Sequence, residues 1–292
     1  MLRDRADDAG RAAALLAWIR LARPPEACVV FGATWAGARV AGLGGDAPVL
    51  ALAASNALLF AASMIFNDWH DWAEDRINKP SRPIASGRVP REAARRLGLL
   101  VFALGVAAAW PAGATFVAAA LCVTAASVAY TVGLKGVPGL GNLVVALVTT
   151  YALACWMLWV APGPVYVALA VGCGLARLGG EILKTAEDRP GDRACGVRTI
   201  ATRWGTRAAC GLGLAAMTAG LVSGGVPVAL GSTDAVYAAA LGLSLAITLL
   251  SAVHLARSRA GPARVAARAV AGERAVMVLM LVGIAFGVDP PD

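Results

Sequence analysis

Along the chain, apolar residues gather into long runs broken by short polar segments; they do not alternate as they would in half-buried strands. Runs long enough to cross a bilayer as helices fall at about 26–44, 48–66, 97–113, 114–132, 138–161, 164–183, 207–226, 234–255 and 269–288. The pattern therefore predicts an all-α, polytopic membrane bundle of about nine transmembrane helices. A polar N-terminal segment over 1–25 precedes a single transmembrane domain over 26–288. Gly/Pro turns at 44–48, 111–114 and 162–164 are short enough to make tight helical hairpins. Two longer polar stretches, 67–96 and 184–206, are expected to be loops.

Composition agrees with this pattern. The 292 residues are 59% hydrophobic and only 15% charged, with a mean hydropathy of +0.68. A soluble domain is about a quarter charged, so disorder and a water-soluble fold are both excluded. The 33 glycines suit close helix–helix contact in lipid. The six cysteines show no metal-ligand spacing, and most sit in apolar runs as small hydrophobes.

A net charge of +8 raises the question of a nucleic-acid partner. The basic residues lie between spans, not on a soluble face, so none is expected. All of the 26 Lys+Arg except Arg39 fall in five segments: 3–23, 76–96, at Lys135, 177–207 and 257–274. With nine spans, these segments share one side of the bilayer, which by the positive-inside rule is the cytoplasm. The N-terminus is then cytoplasmic and the tail at 289–292 external. The chain reads as a multi-pass protein of a bacterial or archaeal type of inner cell membrane.

Acidic residues are scarce but concentrated. The run Asn67-Asp68-Trp69-His70-Asp71-Trp72-Ala73-Glu74-Asp75 ends the second span, and Glu187-Asp188-Arg189-Pro190-Gly191-Asp192 follows the sixth. If the helices continue, Asn67, Asp71 and Asp75 share one face at i, i+4 and i+8, and Asp188 and Asp192 repeat that spacing. Two facing ladders would make a hard-oxygen set, which suits Mg²⁺ beside substrate phosphates. Without a metal the carboxylates would repel one another and some would protonate. His70 and His254 stand at no zinc spacing from these acids. Arg23, Arg82 and Lys135 lie near the ladders, and metal plus fixed cations is what a diphosphate requires. Trp69 and Trp72 read as interface aromatics.

At these residues the sequence resembles the UbiA superfamily of intramembrane prenyltransferases. NDxxDxxxD is complete at Asn67, Asp68, Asp71 and Asp75; RPxxSG stands at Arg82, Pro83, Ser86 and Gly87; and DxxxD is Asp188 and Asp192. Tyr130, Lys135 and Gly141-Asn142, with Arg23-Pro24, add to the likeness. The resemblance covers nearly the whole chain. It implies that Asn67, Asp71, Asp75, Asp188 and Asp192 hold Mg²⁺ and diphosphate, the four aspartates being the catalytic set. It further implies that Arg82, Lys135, Arg23 and Tyr130 bind the substrate. The context of the second motif is nearest the branch containing archaeal digeranylgeranylglyceryl phosphate synthases and plant-type homogentisate prenyltransferases. The chain departs from that branch at Glu26, Gly180 and Thr185, near the expected cavity.

The implied partners are a prenyl diphosphate donor, an aromatic or lipid-alcohol acceptor, and the bilayer. A terpene cyclase on the same frame, in which the substrate's own double bond attacks the cation, is the first alternative. A transporter or non-catalytic membrane protein is the second, although transporter charges belong near the midplane, at broken helices.

Overall fold

The computed structural model describes residues 2–258 and 262–289, with side chains over 12–258 and 264–289. Arg259 and the tail at 290–292 lie outside the described residues, as do the side chains of Arg3, Arg5 and Arg11.

The helices are α1 (Leu2–Leu21), α2 (Pro24–Val40), α3 (Ala47–His70), α4 (Trp72–Asn78), α5 (Arg91–Ala108), α6 (Ala114–Val132), α7 (Leu140–Ala154), α8 (Pro164–Ala194), α9 (Ile200–Trp204), α10 (Thr206–Ser223), α11 (Gly225–Ala229), α12 (Ala235–Arg257) and α13 (Pro262–Gly287). Among the described residues, eight helices are long and apolar enough to cross a membrane. The first of the nine expected spans is α2, slightly shorter at 17 residues. Many large apolar side chains point outward, among them Leu99, Leu104, Leu147 and Leu250. Such exposure is a liability in water and a lipid contact in a bilayer. The protein is an integral, multi-pass membrane protein.

The spans close into a bundle in which α13 packs against both α2 and α8. Arg39, the one cation outside the five basic segments, sits at this closure. It donates to the Ala285 carbonyl and lies 5.7 Å over the Trp35 ring, so its charge is spent inside the bundle. Some polar residues within the spans bond across helices: Ser55 Oγ donates to Gly105 O at 2.7 Å, and Asn56 Nδ2 to Thr34 Oγ1 at 3.0 Å.

Backbone contact holds α8 on α10. Gly172 and Gly179 of α8 face Gly220 and Gly213 of α10. A Cβ added to Gly220 would stand 2.5 Å from Gly172 O, and one on Gly213 2.8 Å from Gly179 O. Only glycine permits that approach, and dispersion across it stands in for the hydrophobic drive that lipid removes. Gly213→Leu is expected to push the helices apart and destabilise the protein by about 1–3 kcal/mol or more, read as a lowered melting temperature in detergent.

Two expected features change. The stretch after 183 is no loop: α8 runs on through the second acidic motif to Ala194, with Pro190 inside it, and α9 follows. Glu, Lys and Arg are good helix formers, and the motif's acids turn inward. Arg177, grouped with the loop charges by sequence, instead lies within α8. Its guanidinium donates to Glu273 Oε1 at 2.8 Å and to Glu181 Oε1 at 2.6 Å. Gly180 makes room for this network, because a Cβ there would collide with the Glu273 carboxylate.

Candidate active site

The first acidic motif straddles the junction of α3 and α4. The helix breaks only at Asp71, and the i to i+4 backbone bonds continue through it: Asp71 N donates to Asn67 O at 2.8 Å, Asp75 N to Asp71 O at 2.9 Å, and Lys79 N to Asp75 O at 2.8 Å. Asn67, Asp71 and Asp75 therefore stack turn over turn. On α8, Asp188 and Asp192 do the same. Asn78 ties the two banks together. Its Nδ2 donates to Asp188 O at 2.8 Å, and its Oδ1 accepts from Gly191 N at 2.8 Å.

Between the banks lies a cavity of about 160 Å³. The residues expected to bind metal or substrate all line it: Arg23, Asn67, Asp71, Asp75, Arg82, Tyr130, Lys135, Asp188 and Asp192. Thr185 lines it too, whereas Glu26 is exposed outside it. Asp68, the second residue of the motif, lies behind the wall at 2% exposure. It accepts from Arg23 Nη2 at 2.5 Å and from Arg82 Nη1 at 3.0 Å, and so aims both guanidinium groups. Arg23 reaches it from a left-handed backbone (φ 50°) just before Pro24, a strained conformation for a non-glycine residue. Trp156 is packed in the core and donates to Thr34 O at 2.7 Å, and Trp159 is half exposed.

The cations bind the carboxylates in turn. Arg82 Nη1 donates to Asp75 Oδ2 at 2.5 Å, Lys135 Nζ to Asp71 Oδ2 at 2.6 Å, and Lys79 Nζ to Asp188 Oδ1. Burial pushes the Asp75 carboxyl up to about 6, although Arg82 pulls the other way. Burial also acts to raise Asp71, but the hydrogen bond with His70 and the Lys135 ammonium outweigh it and leave the carboxyl below its ordinary range. Burial opposes the charge on Arg82 and Lys135, yet their carboxylate neighbours more than compensate, so both stay protonated.

Two groups in the chamber lack such partners. Asn67 Oδ1 is buried with no hydrogen-bond donor. Asp192, 3% exposed, has no cation within ion-pair distance among the described residues. Among the described residues no three His, Cys, Asp or Glu side chains gather into a complete metal cage. Mg²⁺ does not need one, because it takes one or two carboxylates and completes its shell with water and substrate phosphate. An orphaned amide oxygen, an unpaired carboxylate and an all-oxygen donor set fit that ion.

The sequence reading missed Asn78, Glu181, Lys184 and Arg274, which also line the chamber. Nothing local marks them. Asn78 looks like a helix end, and Glu181 gains its meaning from Arg177 and Lys184 once α8 is helical.

Frame and chamber define a polytopic membrane protein with a cavity of carboxylates and fixed cations between its helices. The chain belongs to the UbiA prenyltransferase family, whose sequence profile matches residues 27–284. It is 36% identical over 185 residues to a digeranylgeranylglyceryl phosphate synthase of Methanoregula boonei, covering 61% of this chain and 65% of that protein. Its fold matches the apo structure of a UbiA homologue from Aeropyrum pernix K1 with a TM-score of 0.70 at 19% identity, over 89% of this chain and 98% of that one. It also matches a UbiA homologue from Archaeoglobus fulgidus bound to GPP and Mg²⁺ with a TM-score of 0.63 at 18% identity, over 92% and 99% of the two chains.

Proposed function

We propose that this protein is a Mg²⁺-dependent prenyltransferase that moves an isoprenyl group from a prenyl diphosphate to an aromatic or lipid-alcohol acceptor and releases diphosphate. The observation that carries the reading is the single chamber in which both aspartate banks meet Arg23, Arg82 and Lys135. Asn67, Asp71, Asp75, Asp188 and Asp192 would hold the metal. When bound, Mg²⁺ supplies positive charge to the diphosphate oxygens.

The chain's own groups do the rest. Cleavage of the allylic C–O bond leaves its electron pair on diphosphate. Arg82 and Lys135, held charged by their carboxylates, stabilise that negative charge where it develops. Their positions are fixed before substrate arrives, since Asp68, Asp71 and Asp75 already orient them. The surrounding spans keep water from the allyl cation and house the prenyl tail. Tyr130 places an aromatic face at the chamber wall, where it can meet that cation. The acceptor's electron pair then closes the new bond and its proton departs. The named activity of the Methanoregula boonei relative favours a lipid alcohol. The chamber opens on the cytoplasmic side with the N-terminus, and 26–288 form one catalytic unit in the inner membrane.

The test is diphosphate release from geranyl diphosphate by the purified protein. Release is expected to fall to background with excess EDTA and to return with excess Mg²⁺. Release that ignores EDTA would overturn the metal's role. A cyclic hydrocarbon or terpene alcohol formed without acceptor would move the protein to the cyclase reading.

A further inference from the structure

A second cavity, of about 320 Å³, lies at the same end of the bundle as the aspartate banks but outside the chamber. Arg189, Trp204, Thr206, Arg207, Leu255 and Val265 are among its lining residues. Its charge differs from that of the chamber, where cations are paired with acids. Among the described residues no carboxylate lines this cavity. Arg189, half-buried between Asp188 and Asp192 in sequence, makes no ion pair among the described residues, and its Nε is buried with no hydrogen-bond acceptor. Arg207, exposed, donates to the backbone carbonyl of Ser258 at 2.6 Å. A buried guanidinium N–H without an acceptor, as at Arg189 Nε, is costly unless an anion meets it.

The walls indicate which anion. The 18-residue helix α10 begins here behind Gly205 with no side-chain cap, so its positive end faces the cavity beside the two arginines. Trp204, 56% exposed, flanks the rim with Arg203 stacked on its ring at 5.6 Å, as an aromatic does at headgroup level. Ala208, Cys210, Leu255 and Val265 make the rest of the lining apolar. Cations, an exposed aromatic and aliphatic groups around one cavity match a phosphate carried on acyl chains.

We propose that this cavity is a binding site for a phosphate group, supplied by an anionic phospholipid of the surrounding leaflet. Basic pockets between spans recognise lipid headgroups in this way. Because Arg189 sits between the two aspartates of α8, an occupant there also braces the helix that carries them.

The protein reconstituted in equal parts phosphatidylglycerol and phosphatidylcholine, then extracted into detergent, is read by native mass spectrometry. Wild type is expected to retain phosphatidylglycerol over phosphatidylcholine by roughly tenfold, the scale of one charge-assisted bond. Arg189→Gln with Arg207→Gln should lose that preference, and Arg95→Gln with Arg96→Gln, which removes two exposed charges elsewhere, should keep it. Inorganic phosphate and inorganic diphosphate form the soluble arms. If they raise the melting temperature of wild type alone while lipid retention shows no preference, the phosphate site stands and its source is soluble. If the first double variant does not fold, exposed Arg207→Gln carries the comparison. Equal retention of both lipids with no response to either soluble anion would overturn the proposal. So would a preference that survives loss of the arginines, or one lost equally in the Arg95/Arg96 control.

Discussion

Asp71→Ala and Asp188→Ala are each expected to reduce diphosphate release by roughly 10³-fold or more, with the protein still inserted and monodisperse. Both residues line the chamber from opposite banks. Each change removes a proposed metal ligand and also breaks an ion pair, with Lys135 in the first case and Lys79 in the second. The variants Asp71→Asn and Asp188→Asn separate the two effects, because they keep shape and remove charge. They should be as inactive as the alanine forms if metal binding is what matters. Turnover of geranyl diphosphate at the wild-type rate in either aspartate variant would refute the ligand assignment.

The second large effect is expected at Asn78, which lies between the first acidic motif and the RPxxSG stretch. Asn78→Ala removes both of its hydrogen bonds to α8, the one to Asp188 O and the one from Gly191 N. The two aspartate banks are then left with the Lys79–Asp188 ion pair between them. A displacement of about 1 Å between catalytic groups can cost 10²-fold in rate, so kcat should fall by roughly that factor. The melting temperature should move much less, because α8 remains seated on α10. Asn78→Asp keeps the acceptor for Gly191 N but loses the donor to Asp188 O and adds a charge beside that motif. It should not restore activity. A kcat near wild type in both variants would show that the banks align without Asn78.

Much of the frame could be read in advance because lipid imposes one rule on every span: twenty or so apolar residues, helical throughout. The positions of the acids were equally plain, because so few occur. Their shared face followed from helical spacing alone, and the structure preserves it across the break at Asp71. The reach of α8 was less legible. Its charged C-terminal half has the hydropathy of a loop and the propensity of a helix, and only the inward turn of Asp188 and Asp192 decides between them. Long-range partners were not legible at all. Arg177 and Glu273 are separated by 96 positions, and Asn78 and Asp188 by 110. No local pattern joins such pairs. The glycines that matter for α8 were hidden among many others, since composition cannot tell a contact glycine from a turn glycine.

The seam between α8 and α10 also bears on how far such a chain can drift. Where two main chains touch directly, no complementary pair of side chains needs to change in step. Aliphatic residues elsewhere on those spans can be exchanged for one another freely, provided four positions stay bare. The fold is shared with the Aeropyrum pernix protein although only 19% of residues coincide, so a frame of this kind tolerates wide exchange of its side chains.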